Sequence, residues 1–138
     1  MADSVRKVTY CNTKVNSRAG QGAKVLSELK KAGVNLTAFS GFPAKGGKAQ
    51  LDFVTQDMTG VRRLARKNGW RLSKTKKGFL ITGTDKLGAA ARHIQKLADN
   101  RINITAADAV AAGNKRYGMI LWVKQKDYAR AARTLKAR

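Results

Sequence analysis

The chain carries the same segment twice. Residues 20–38 read GQGAKVLSELKKAGVNLTA and residues 88–106 read GAAARHIQKLADNRINITA, an ungapped correspondence over nineteen positions at an offset of 68. Gly20/Gly88, Ala23/Ala91, Leu29/Leu97, Asn35/Asn103, Thr37/Thr105 and Ala38/Ala106 are identical. A 138-residue chain with a segment repeated at this spacing is a tandem of two small units. The expected division is 1–75 and 76–138, which leaves no room for a further catalytic domain.

Hydrophobic spacing changes in the same order in both copies. In the first, 5–12 alternates as a strand, 19–32 has Ala23, Leu26 and Leu29 at helical spacing, and 34–42 and 49–55 read as strands around a Pro/Gly turn at 43–48. Asp57 suits the cap of a second helix carrying Val61, Leu64 and Ala65, which Asn68-Gly69 ends as a left-handed cap. Residues 70–74 start another strand. The second copy gives strand 79–82, helix 86–99, strand 102–109, a turn at Gly113-Asn114, strand 118–123 and helix 127–135, and there the sequence stops. The order βαββαβ then βαββα predicts an α+β protein of two ferredoxin-like repeats, antiparallel sheets with helices on one face, the second lacking its own last strand. Trp70 to Ser73 could close the first sheet or supply the absent edge of the second.

These residues resemble the ACT domains, small regulatory modules that sense amino acids. The likeness lies in Thr84-Asp85-Lys86-Leu87-Gly88, the helix after it and Arg101-Ile102-Asn103-Ile104, matched in the first copy by Ser17-Arg18-Ala19-Gly20 and Gly33-Val34-Asn35-Leu36. It departs from the family where the usual proline before the glycine is Ala19 or Leu87, and where Ser17 stands for Asp or Asn. Glycine at a helix start lets free amide hydrogens meet an anion, so Gly20 and Gly88 are candidates on physical grounds alone. The resemblance implies that Ser17, Gly20 and Asn35, and Asp85, Gly88 and Asn103, contact an amino acid or small carboxylate at a domain interface, in a homodimer. Asp85 is equally suited to capping the helix, and Asn35 and Asn103 to bonding backbone at a turn.

Charge supplies the competing reading. Twenty-nine Lys and Arg against 8 Asp and Glu give +21, a field that attracts polyanions or an acidic protein. Eight cations fall within 62–77 and six within 124–138, with no acid from 58 to 84. Arg62, Arg63, Arg66 and Lys67 share one helical face, and Arg130 and Arg133 recur in the other copy. Such faces could grip RNA or DNA phosphates without reading bases. The Lys115 to Trp122 run has the basic-aromatic-glycine opening of an RNA-reading strand but lacks its second aromatic.

Catalysis has little to draw on. One histidine, His93, and one cysteine, Cys11, allow no nucleophile set, disulfide or zinc cluster. His93 aligns with Val25 and is expected to be semi-buried packing. No cofactor is implied. The start MADSVRKVTY is no signal peptide and no run reaches the ~18 residues of a membrane helix, so the expectation is a cytoplasmic regulatory protein that does not meet a membrane.

Overall fold

A computed structural model of the chain describes residues 3–138. Those residues form an α+β structure of six strands and four helices in the order β1 (Ser4–Asn16), α1 (Gln21–Lys31), β2 (Ala38–Ala44), β3 (Lys48–Val54), α2 (Met58–Asn68), β4 (Lys76–Thr84), α3 (Ala89–Asp99), β5 (Ile104–Gly113), β6 (Arg116–Val123) and α4 (Tyr128–Leu135). A 3-10 turn at Gln125–Asp127 precedes α4. The chain divides into two compact units, residues 9–76 and residues 77–138 with those up to Val8. Among the described residues, 3–8 thus pack with 77–138.

In the unit of residues 9–76, β3 pairs antiparallel with both β1 and β2, and the register sets Cys11 beside Phe53 and Phe53 beside Phe39. Strand alternation sends Cys11, Leu51 and Phe53 to one face, where Val25 and Leu29 of α1 and Val61 and Leu64 of α2 cover them. Each such side chain, once buried, contributes about 1.5–3 kcal/mol before the entropy of ordering is subtracted. The Asp57 carboxylate accepts from Gly60 N at 2.9 Å and caps α2. Gly69 ends the helix at φ 73°, as its sequence position suggests.

Residues 70–74, expected as a strand, are not a regular one. They nonetheless run beside β1: Ser73 N donates to Asn12 O at 2.8 Å, Asn12 N to Ser73 Oγ at 3.0 Å, and Thr13 Oγ1 to Arg71 O at 2.8 Å. This segment is thus committed to the unit of residues 9–76.

In the other unit β6 pairs antiparallel with β4 and β5. Phe79 and Ile81 of β4 and Tyr117, Met119, Leu121 and Val123 of β6 form a core with Leu97 of α3 and Tyr128, Ala131 and Leu135 of α4. Phe79 stacks on Tyr128 with centroids 4.6 Å apart. Val5 of β1 joins the same core, and the start of β1 lies beside β4, so that this unit's strand order is β1-β4-β6-β5. The strand beside β4 on this side is therefore β1, and not Trp70 to Ser73, whose bonds go to Asn12 and Thr13.

Candidate functional site

The two glycine turns have the same build. Gly20 and Gly88 precede α1 and α3 at φ 89° and 75°, a left-handed conformation that only glycine adopts without strain, and neither helix has a side-chain cap. Ser17 N donates to Gly47 O at 2.9 Å, and 68 residues on, Asp85 N donates to Lys115 O at 2.8 Å. Each turn is thus tied by its backbone to the neighbouring hairpin. Ser17, Gly20, Asp85 and Gly88 are all exposed. Asp85 does not cap α3, because Gly88 occupies the cap position.

Asn35 and Asn103 lie beyond the far ends of the same helices. Both are exposed, and the contact made at Asn35 is through its carbonyl oxygen, which accepts from Thr55 Oγ1 at 2.8 Å. Eleven helical residues span about 16 Å, so within neither unit do the glycine and the asparagine come together.

The six basic candidates separate into two kinds. Arg62 is half-buried and donates to Ser73 O at 3.0 Å and Thr75 Oγ1 at 2.6 Å, holding the segment beside β1. Arg130 donates to Asn100 O at 2.7 Å, at the C-terminal end of α3, and meets Asp127 at 3.4 Å. Arg63, Arg66, Lys67 and Arg133 are exposed. The even basic face expected from spacing is therefore interrupted by two structural arginines.

A cluster that the sequence reading did not assemble surrounds Asp3. Its Oδ2 accepts from Tyr117 Oη at 2.6 Å, lies 2.6 Å from His93 Nε2 and meets Arg92 Nη2 at 2.6 Å. The carboxylate side chain is only 4% exposed and that of His93 5%. Burial pushes the Asp3 pKa up, but the bonds from Tyr117, His93 and Arg92 outweigh it and hold the carboxyl well below the usual range. Burial and the bond to Asp3 push Tyr117 up to about 12. His93 is packed inward as expected, but as part of this cluster.

No protein-family model matches the sequence, and no curated protein matches it. Solved structures do. A Bacteroides thetaiotaomicron protein aligns with TM-score 0.78 and 17% identity over 97% of this chain and 88% of its own. The regulatory subunit of aspartate kinase from Thermus thermophilus, in its ligand-free form, aligns with TM-score 0.64 and 15% identity over 99% and 95%. Escherichia coli aspartokinase III, in complex with aspartate and ADP, aligns with TM-score 0.54 and 15% identity over 97% of this chain and 32% of the enzyme. At these identities the likeness is one of fold, shared with regulatory subunits of aspartate kinase. Among the described residues no helix is long and apolar enough to cross a membrane.

Proposed function

We propose that the chain is a non-catalytic regulatory module of two ferredoxin-like, ACT-type repeats that binds an amino acid or similar small carboxylate at its glycine turns. In this reading the second repeat takes its last strand from the start of β1. The doubled turn carries the proposal: a left-handed glycine leads into a helix whose first amides have no side-chain cap, in both copies, with the same backbone bond before it. A carboxylate there gains hydrogen bonds and the favourable end of the helix dipole.

A ligand that also meets Asn35 or Asn103 must take that asparagine from another unit, and a homodimer supplies one. Support for association comes from β5, which ends the strand order and is exposed along nine of its ten residues. Open edges of this length are normally covered. The nucleic-acid reading is weaker, because Arg62 and Arg130 spend donors on the chain's own oxygens.

Thermal melting in the presence of each standard amino acid at millimolar concentration tests the proposal, since a ligand of the folded state raises the melting temperature. At least one should do so, and Asp85→Ala or Asn103→Ala should abolish the shift. No shift with any of them overturns the sensor reading.

A further inference from the structure

We propose that the groove between α3 and the end of α4 is a second binding site, for a small phosphorylated metabolite. It is a cavity of about 510 Å³ lined by Arg92 and Lys96 of α3, Lys136 and Arg138 beyond α4, and Asp3 and His93. Asp85, Gly88 and Asn103 take no part in it, so it is separate from the glycine turn and does not depend on that reading.

Four cationic side chains line the groove with a single acidic side chain, Asp3. The carboxylate is already engaged by Arg92, Tyr117 and His93, and among the described residues no acid pairs with Lys96, Lys136 or Arg138. The bond to Asp3 at 2.6 Å also fixes the Arg92 guanidinium, leaving the rest of its planar fork for a ligand oxygen. A monocarboxylate would neutralise one of these charges. A phosphoryl group brings close to two and matches the arginine fork. The volume is that of a small-molecule site, too confined for a duplex.

The fold builds this groove in both copies. Lys24, Val25 and Glu28 of α1, each 68 residues before Arg92, His93 and Lys96, line a cavity of about 530 Å³ that is likewise closed by the end of the following helix, at Asn68 and Trp70. The first cavity is also basic, with Lys14, Lys24, Lys31 and Lys48 beside Glu28; what the second adds is an arginine fork, Arg92, held in place by the Asp3 carboxylate.

Calorimetric titration of the full chain with inorganic pyrophosphate tests the site. Pyrophosphate should bind, citrate at equal concentration should bind about tenfold more weakly, and Lys96→Glu/Lys136→Glu should lower pyrophosphate affinity about tenfold or more. The charge-matched control Lys30→Glu/Lys45→Glu, at residues that neither line the groove nor belong to the candidate basic faces, should stay within about twofold of wild type. Both pairs replace exposed side chains, and circular dichroism verifies folding. Absence of pyrophosphate binding, or an equal loss in the control, overturns the site. Equal affinity for citrate overturns its phosphoryl preference.

Discussion

Gly83 leaves the space that the Asp3 carboxylate fills. A Cβ built on this β4 glycine would overlap the Asp3 carboxyl group, and no flexible tip could swing aside, because Tyr117, His93 and Arg92 hold the same oxygen. Gly83→Ala should therefore expel Asp3 and leave a buried histidine and tyrosine without their acceptor, at about 2–4 kcal/mol. Urea denaturation measures the loss. Asp3→Ala removes the obstacle, so the double variant should be little worse than Asp3→Ala alone, and strictly additive losses would contradict the coupling.

The same carboxylate makes a prediction for the acid side of the stability profile. Its pKa is held below the ordinary value near 3.9, so the unfolded chain takes up a proton at a pH where the folded chain does not. The stabilisation is fully present above that ordinary value and is lost as pH falls below it. Melting temperature should drop steeply on acidification below about pH 4, and Asp3→Asn should flatten that limb while lowering stability at neutral pH.

At the alkaline end the sign reverses through Tyr117. Its pKa is pushed up to about 12, so the folded state keeps a proton that an unfolded tyrosine releases near pH 10. Stability present below pH 10 should fall between about pH 10 and 12. Tyr117→Phe should reduce this slope without removing it, because burial also pushes Tyr10 and Tyr128 up. An unchanged slope in ultraviolet-monitored denaturation would show that Tyr117 is not the group.

Features fixed by a few adjacent residues could be read from the sequence. Asp57 and Gly69 cap α2 as their positions suggest, and Gly20 and Gly88 stand directly before α1 and α3, where the repeated segment puts them. The origin of the second unit's edge strand could not be read. Which segment pairs with β4 depends on register between residues some seventy positions apart, and both the start of β1 and residues 70–74 have suitable composition. The Asp3 cluster is harder still, joining residues 90 and 114 positions apart. Its one sequence signal is a histidine in α3 where α1 has Val25, a polar group on a buried face that needs a partner.

Arg62 and Arg66 share a basic face in the sequence but not a role in the structure. Arg62 bonds Ser73 and Thr75, so Arg62→Ala should cost about 1–2 kcal/mol. Arg66 is exposed, and Arg66→Ala should change stability by less than about 0.5 kcal/mol. If charge reversal at Arg62 weakens binding to any polyanion, the melt must be measured alongside, since detachment of the segment at 73–75 would have the same effect.

Asp85 and Asp57 provide the sharpest separation of binding from architecture. Asp57 caps α2 through Gly60 N, so Asp57→Ala should cost about 1 kcal/mol whatever ligand is present. Asp85 is exposed, and the cap position of α3 belongs to Gly88; Asp85→Ala should leave the unliganded melt within about 0.5 kcal/mol of wild type. A carboxylate kept at the mouth of an anion-attracting turn without a structural task is suited to the ammonium group of an amino acid, while the turn's amides take its carboxylate. Asp85→Asn should then weaken an amino-acid ligand about tenfold or more and affect a deaminated analogue far less. Equal losses for both would assign Asp85 to shaping the turn and not to reading the amine.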